Sequence, residues 1–598
     1  MDYPNYATAA APKTAPQTEQ NNLIGKSVAG YQSWFKCGET LDGGWHHWSG
    51  GSAPAPGHMS FELFPDVSEY PEEVMADTRF DPMPDGRPTR LFRSRTKEAI
   101  DIHFGWMRQY GVDGVAVQRF YGDATGRNAD GELLRNVEHL KLIRDAAERN
   151  DRIFYMMYDV SGAGERLGME ALEGLRWDMV ENLEGEGIVS SPAYAHADGK
   201  PVLCIWGLNG KEPKRYPGAA VMVPFVKWLK ERGYFVIGGV SDNGWTRDES
   251  EYAEVYRLVD MISPWTVGRY GPPSVEDWQS VHIPEDMAFC REHGKVYQPV
   301  MFPGFAWSIW NGGPANHIAR QAGEFLWKQA RLYAEAGIRN GYFAMFDEYD
   351  EGTAIMKAAE DSESIPTGGQ YFQTLSADGQ WLSSDFYLRL AGRISRMLRG
   401  EAPVTERVTI PYSEGPVYWR TGFEKRVAGI SANRNSPKLP MLTPVDLCCE
   451  DAAVLDSHRA EVIAAAVVES EPGELCYRGR FGYGFCGLVQ RDGWMNFRLA
   501  ETKIAVTEKL TLRYARRPGD ENGRFVGVDL LFDDGKKLSE LVPEQVLSEH
   551  GTVDEWETVR LTLGEETVGR SIMAVLLSTR QPGHFTAFFD DIAIEAAE

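Results

Sequence analysis

The chain has 598 residues, in which 62 Lys and Arg stand against 87 Asp and Glu, for a formal net charge of −25. This acidic balance argues against a polyphosphate backbone or an anionic lipid surface as the partner, so we expect neither nucleic acid binding nor membrane insertion. The apolar runs are far shorter than the ~20 residues of a transmembrane helix. With 43% hydrophobic residues, the chain is long enough for one large domain and a smaller one.

Residues 1–24 are rich in Ala, Pro, Thr and Gln without periodicity, which predicts a disordered or extended segment. The segment has no positively charged region followed by an apolar run, so no signal peptide is visible. The compartment stays open between the cytoplasm and, if a leader was removed, a secreted or periplasmic location. The seven cysteines show no CxxC spacing and predict no disulfide framework. We expect no metal and no other cofactor.

Eight short apolar runs alternate with amphipathic, helix-like segments over the first two thirds of the chain. Such alternation is typical of buried parallel strands connected by helices. We therefore predict an α/β fold in which residues 25–400 form a (β/α)8 TIM barrel, with its largest insertion at 38–91. An open doubly wound sheet is the alternative, but no Gly-rich phosphate fingerprint is present. The predicted strands are Val28–Trp34, Val115–Phe120, Arg152–Val160, Pro201–Gly207, Tyr234–Val240, Val259–Val267, Lys295–Phe302 and Asn340–Phe346.

After Gly400 the pattern changes to short alternating runs separated by Gly, Asp and Pro turns. This pattern predicts that residues 401–598 form an all-β sandwich similar to a carbohydrate-binding module. Such a domain either binds a polymer or braces the barrel, and its sequence does not distinguish the two roles.

Aromatic and charged residues follow the predicted barrel strands. In this fold the loops after the strands converge over one mouth, where reactive and binding groups are found. Aromatic rings stack on sugars or fill the core, and polar groups bind hydroxyls or form structural ion pairs. We predict substrate contacts from these residues and leave the structural alternatives open. The candidates are Tyr31, Trp34, His47, Arg119, Asp159, Trp206, Asp242 and Trp307.

Four carboxylates lie within five residues directly behind the eighth predicted strand: Asp347, Glu348, Asp350 and Glu351. Crowding raises the proton affinity of some carboxylates, so that a general acid can stand beside a general base at neutral pH. Glu348 and Glu351 are three residues apart and share a side if the chain turns helically. A solvated acidic loop and an all-oxygen metal site are the rival interpretations. Paired carboxylates flanked by aromatics on a barrel are typical of glycosidic bond cleavage.

The same segment, Phe346–Thr353, resembles the Asn-Glu-Trp-His-Glu-Gly-Thr motif of glycoside hydrolase family 99, the endo-α-1,2-mannosidases and endomannanases. Gly30–Trp34 with Trp45–Trp48 resembles the first strand and loop of that family. Phe302–Trp307 resembles the wider 71/99-like group, and together the matches span residues 25 to about 400. Tyr349 and Asp350 replace the Trp-His of the motif, so substrate contacts in this loop differ and mannose is not implied.

The resemblance implies a retaining hydrolase in which the 2-hydroxyl of the sugar attacks C1 and forms a 1,2-anhydro sugar. Matched to the motif, Glu348 would deprotonate that hydroxyl and Glu351 would act as acid and base on the leaving oxygen. Tyr349 and Asp350 would contact the substrate. We expect an oligosaccharide or polysaccharide substrate with an α linkage. A non-catalytic carbohydrate-binding protein and a metal-dependent hydrolase or lyase are the alternatives. Sugar identity, endo or exo action and oligomeric state do not follow from the sequence.

Overall fold

The computed structural model describes residues 6, 9–38, 44–125, 137–163, 172–241, 244–424, 427–430, 441–444, 449 and 451–597, with only the backbone at 427–430 and 441–444. Its first large unit is a barrel of eight parallel strands. The strands are β1 (Ser27–Tyr31), β2 (Gly114–Phe120), β3 (Ile153–Asp159), β4 (Lys200–Leu208), β5 (Phe235–Val240), β6 (Met261–Pro264), β7 (Val296–Tyr297 and Val300–Met301) and β8 (Gly341–Phe343).

The seventh strand closes the barrel although it is interrupted. Its first part, Val296–Tyr297, pairs with β6, and its second part, Val300–Met301, pairs with β8. The last strand then pairs with the first, with Ser27 opposite Gly341 and Ala29 opposite Phe343. Each of these pairings is parallel, so the carboxyl ends of all eight strands face the same mouth. The predicted (β/α)8 barrel followed by a β-sandwich is confirmed.

Complete burial explains why the barrel strands read as continuous apolar runs. All seven residues of β3 and all six of β5 are buried, because helices cover one face and the barrel interior fills the other. Helices of 12 or more residues in the barrel are Lys97–Tyr110, Glu138–Asn150, Ala219–Glu231, Val275–Glu292, Glu324–Glu335 and Phe386–Arg399. Shorter helical segments are Glu72–Val74, Tyr121–Thr125, 172–177, Asp178–Glu184, Trp245–Arg247, Ala253–Leu258, Ser308–Asn311, Gln321–Gly323 and Ser362–Ser364.

The first of these helices shows how local sequence sets the boundaries. The hydroxyl of Thr96 accepts a hydrogen bond from the Ala99 amide at the helix start. The helix ends at Gly111, whose φ of 81° is the left-handed conformation that glycine adopts without steric cost. Its Ile100, Phe104 and Met107 are buried against the barrel. In the insertion before this helix, Met75–Asp77 and Arg90–Phe92 form a small antiparallel pair.

The N-terminal segment lies extended along the barrel. The Leu23 amide donates to the His196 carbonyl at 2.8 Å, and the His196 amide donates to the Asn21 carbonyl at 2.8 Å. Farther back, the guanidinium of Arg232 donates to the Ala9 carbonyl at 2.7 Å. Leu23 and Asn21 are buried. This polar segment is therefore attached through its backbone, which its side-chain composition does not reveal.

The C-terminal unit is the predicted sandwich. Phe481–Ala505 bends through it, since its first half pairs with Gly583–Ala596 and its second half with Ser571–Thr579. The strands that the sequence analysis missed include Ala453–Glu469, whose many alanines and exposed residues carry no alternating pattern. The remaining strands are Val417–Thr421, Leu510–Pro518, Gly527–Phe532 and Glu557–Thr562, with a two-stranded pair at Val427–Ile430 and Met441–Pro444. Its short helical segments are Gly523–Phe525, Leu538–Leu541, Pro543–Val546 and Glu565–Thr567.

An ion pair joins the two units. The guanidinium of Arg420, on the first sandwich strand, binds both oxygens of Asp361 in the barrel at 2.7 and 2.9 Å. The indole N–H of Trp381 donates to the same carboxylate at 2.8 Å, and its ring packs in the apolar core of the sandwich. The barrel therefore supplies part of the core of its neighbour.

Below the barrel mouth, Arg119 and Asp178 form a buried pair. The guanidinium donates to both oxygens of Asp178 at 2.6 and 2.7 Å, and both side chains are at most 1% exposed. Tyr158 and Asn182 donate to the same carboxylate. Four hydrogen bonds thus compensate the burial of these charges.

We expect the Asp178→Asn variant to lower the free energy of unfolding of the barrel by about 3–5 kcal/mol, because it removes the negative charge that binds the buried Arg119 guanidinium through two hydrogen bonds. Asp85→Asn serves as the control, since the Asp85–Arg87 pair is exposed and contributes little. Urea denaturation of the three proteins measures the difference. Equal, small effects of the two substitutions would contradict this account.

Candidate active site

A tight loop after β8 holds the carboxylate cluster. The Phe346 amide donates to the Gly30 carbonyl at 2.8 Å, which continues the pairing of β8 with β1. The amides of Thr353 and Ala354 both donate to the Glu348 carbonyl, so the loop closes on itself. Gly352 has a φ of 61°, and a Cβ there would lie 2.8 Å from the Cβ of Ala306. The loop therefore has little room to move.

Asp347 anchors this loop to the end of β1. Its carboxylate accepts the backbone amides of Gln32 at 2.9 Å and Ser33 at 2.7 Å. The side chain is buried, and burial raises its pKa to about 7. With both oxygens engaged by the main chain, Asp347 positions the loop and does not face a ligand.

Glu348 and Glu351 are the pair predicted to perform the chemistry. Glu348 is 7% exposed, whereas Glu351 is partly exposed. Burial raises the pKa of Glu351 to about 7, and the negative charge of Asp350 adds to this effect. Burial likewise raises the pKa of Glu348 well above its usual value, with further contributions from Glu351, Asp350 and Asp347. Each glutamate therefore binds a proton more tightly than a carboxylate in water does.

Two glutamines that the sequence analysis did not select connect Glu348 to Asp159. The Gln32 amide donates a hydrogen bond that favours ionised Glu348, and it also donates to the Gln118 Oε1 at 3.2 Å. The Gln118 amide in turn donates to Asp159 at 2.8 Å. This chain crosses the carboxyl ends of β1, β2 and β3. The indication in the sequence was that each glutamine lies near the end of a predicted strand.

His47 and Asp350 form a second polar contact at the mouth. The His47 Nδ1 lies 3.0 Å from an oxygen of Asp350, and the imidazole stacks on Trp34 with ring centroids 3.7 Å apart. Trp34 stacks in turn on Phe120, at the end of β2, with centroids 5.4 Å apart. The other Asp350 oxygen is enclosed and has no hydrogen-bond partner among the described residues.

Trp34 and Trp307 follow β1 and β7, and Trp206 lies near the carboxyl end of β4. All three are partly exposed, as a substrate-contacting role requires. Trp206 packs edge-on against Trp265, with centroids 5.4 Å apart. The indole N–H groups of all three are enclosed and find no hydrogen-bond acceptor in the part of the chain that the structure describes. Buried donors are normally paired, so these three N–H groups are exceptions within that part of the chain.

Three predicted substrate contacts require correction, because their side chains are occupied inside the fold. Tyr31 is fully buried, and its hydroxyl pairs with His103 Nδ1 at 2.8 Å. Tyr349 is also fully buried, and its hydroxyl donates to the Lys357 carbonyl at 2.7 Å. Arg119 is bound to Asp178 below the mouth. Asp159 is almost completely buried, and burial raises its pKa. Asp242 lies outside the described residues.

Among the described residues, no three His, Cys, Asp or Glu side chains converge as a metal site would require. Within the same residues, no helix combines the length and apolar character needed to cross a bilayer. A cavity of about 1370 Å³ lies away from the mouth, between the barrel insertion and the sandwich. Some of the charged side chains around it pair with one another, as Arg480 does with Glu469 and Arg420 with Glu360.

No protein-family model and no curated protein matches the sequence. Among solved structures, an endo-alpha-mannosidase from Bacteroides thetaiotaomicron matches 64% of this chain and 99% of its own, at 16% identity and a TM-score of 0.42. The Endo-D glycoside hydrolase domain from Streptococcus pneumoniae R6 matches 99% of this chain and 80% of its own, at 12% identity and a TM-score of 0.26. A carbohydrate-binding module in complex with beta-1,4-galactotriose matches 23% of this chain and 88% of its own, at 18% identity and a TM-score of 0.16. At these values, none of the matches assigns a function.

The raised pKa of Glu351 predicts a pH-dependent stability. Between its ordinary pKa of 4.5 and its folded pKa of about 7, the folded protein keeps a proton that the unfolded chain releases. The folded state then binds more protons, so stability falls as the pH rises through this window. We expect the melting temperature of the wild type to fall relative to that of Glu351→Gln between pH 5 and pH 8.

Melting curves of both proteins across this range measure the effect. Glu249→Gln, at an exposed position, is the control and should follow the wild type at every pH. A constant difference between wild type and Glu351→Gln would show that Glu351 does not hold a proton in the folded state.

Proposed function

We propose that the protein is a glycoside hydrolase that cleaves an α-glycosidic linkage in an oligosaccharide or polysaccharide. The observation that carries the proposal is the pair Glu348 and Glu351 at the carboxyl end of β8, both with raised pKa values. Such a pair supplies an acid for the leaving oxygen and a base for the nucleophile at neutral pH. The partly exposed Trp34, Trp206 and Trp307 provide apolar surfaces of the kind on which sugar rings stack.

The mechanism that we propose uses the substrate as its own nucleophile, as the resemblance to family 99 implies. Glu348 takes the proton of the sugar 2-hydroxyl, and O2 attacks C1 to form a 1,2-anhydro sugar. The C1–O bond to the leaving group breaks as Glu351 gives that oxygen its proton. Water then opens the anhydro ring at C1, losing a proton to Glu351, while Glu348 returns its proton to O2. The configuration at C1 is retained, and both glutamates regain their starting states.

The Gln32 amide supports the role of Glu348 as the base. Burial and the charges of Glu351, Asp350 and Asp347 favour a neutral Glu348, whereas the Gln32 amide donates to its carboxylate and favours the ionised form. The sugar 2-hydroxyl would add a second donor. In the proposed mechanism, the more accessible Glu351 carries the proton that the leaving oxygen needs. An internal hydroxyl is already in place, so the reaction needs no protein nucleophile.

We expect the purified protein to release sugar from at least one member of a panel of α-mannans, α-glucans and plant and host glycans. Glu348→Gln and Glu351→Gln should abolish this release, because each removes one of the two proton-transfer groups. Chromatography of the reducing products measures the release and identifies the substrate class. Binding of a glycan without release by the wild type would instead favour a non-catalytic carbohydrate-binding protein.

The two glutamates should differ in their response to the leaving group. We expect Glu351→Gln to lower kcat/KM by about 10²–10⁴-fold on a natural glycan, the usual contribution of a general acid, and by less on an activated aryl glycoside or glycosyl fluoride. Only the natural leaving group needs protonation. Glu348→Gln should impair both substrates to the same degree, since both need the 2-hydroxyl nucleophile.

Steady-state kinetics on the matched substrates tests this difference. Equal losses for Glu351→Gln on both substrates would argue against its role as the acid. A 2-deoxy glycoside serves as the substrate control. Its turnover at an ordinary rate would exclude the anhydro-sugar route while leaving hydrolysis itself in place.

A further inference from the structure

Asp350 lies between the two glutamates, and the structure gives it a partner from a distant part of the chain. Its oxygen lies 3.0 Å from His47 Nδ1, on the segment that follows β1. The side chain of Asp350 is 4% exposed, whereas that of His47 is 29% exposed. The carboxylate is thus enclosed next to the site, and its histidine partner is in contact with solvent.

The imidazole is held in one orientation by the rings around it. It lies nearly parallel to Trp34, with an interplanar angle of 7°, and Phe35 meets it edge-on with centroids 6.0 Å apart. Trp34 is itself stacked on Phe120 from the neighbouring strand. His47 also has a positive φ of 64°, a conformation that few residues other than glycine adopt. These ring contacts, together with the backbone conformation, hold the His47 ring so that its Nδ1 points towards Asp350.

The charge of Asp350 is compensated on one side only. One oxygen contacts His47, and the other is enclosed without a hydrogen-bond partner among the described residues. A carboxylate in such a place acts on its neighbours through its field, because little solvent screens it. Its negative charge raises the pKa of both Glu351 and Glu348.

Resting on the proposed function, we propose that His47 and Asp350 form a positioning pair that controls the protonation of the acid Glu351. Asp350 supplies an enclosed negative charge next to Glu351, and His47 holds Asp350 in place. The field of this charge favours the protonated form of the acid, so the pair extends the activity to higher pH.

Other charged groups lie on the elements around this pair. Arg95 donates to the Ser33 carbonyl at 2.8 Å and lies 3.5 Å from Asp123. The charged groups carried by the same loop and by the neighbouring segments are Asp347, Glu348, Glu351, Lys36, Arg95 and Asp123.

The test compares pH profiles of kcat/KM, on a glycan with a natural leaving group, for three variants. Asp350→Asn removes the charge and keeps the shape. We expect its alkaline limb to move to lower pH by about one unit, since a nearby like charge is lost. His47→Gln keeps a donor for Asp350, so we expect its alkaline limb to stay. His46→Gln, the same change at the exposed neighbouring position, should move neither limb.

A structural role alone would lower activity equally at every pH, and that outcome for Asp350→Asn would overturn the proposal. An unchanged alkaline limb would also overturn it, while leaving the hydrolase assignment intact. If the wild type hydrolyses no glycan, the proposed function fails, and the pair is tested by stability instead. The melting temperature of Asp350→Asn should then vary less between pH 5 and pH 8 than that of the wild type. If the melting temperature of Asp350→Asn varied with pH as much as that of the wild type, the proposed role of the pair would be refuted without any measurement of activity.

Discussion

The contact between the loop after β8 and the end of β1 is the constraint on which the site depends. Asp347 accepts two backbone amides from Gln32 and Ser33, and the Phe346 amide donates to Gly30. These bonds satisfy main-chain donors that the end of a strand would otherwise leave unpaired. They join the last strand of the barrel to the first, so the same hydrogen bonds close the barrel and position the carboxylates. A site on such a loop is held by the main chain and not by flexible side chains.

Burial then gives each carboxylate of this loop a separate role. Asp347 is bound by main-chain amides, Asp350 is bound by a histidine from the insertion, and the charge of Glu351 helps to raise the pKa of Glu348. Four adjacent acids in water would differ little in proton affinity. Enclosed in the barrel mouth, they differ because each has its own set of donors and its own distance from solvent. The same enclosure costs stability, which is the usual consequence of placing ionisable groups at a reactive site.

The insertion after β1 links the fold to the site. It delivers His47 to the loop, and its Glu62 accepts the amides of Ser308 and Asn316 at 2.8 and 2.9 Å, behind β7. Glu62 is completely buried, and burial raises its pKa. One segment thus contacts the loops after two other strands. The sequence marked it only as a long connection, since a buried glutamate in a loop looks like any solvated one.

Periodicity and residue type alone predicted the eight barrel strands, the sandwich and the loop of four carboxylates, because complete burial leaves a continuous apolar signature and strand ends follow from it. The strand Ala453–Glu469 escaped this reasoning, since its residues are mostly exposed. Only the tertiary structure decided which strand-end residues face the mouth. Tyr31 and Arg119 turned inward to partners 72 and 59 residues away, and Tyr349 turned inward to a carbonyl 8 residues away, whereas Gln32 and Gln118 came together across strands. A hydrogen-bond partner on another strand or helix leaves no local pattern, so packing alone determines whether a polar side chain is structural or free to bind.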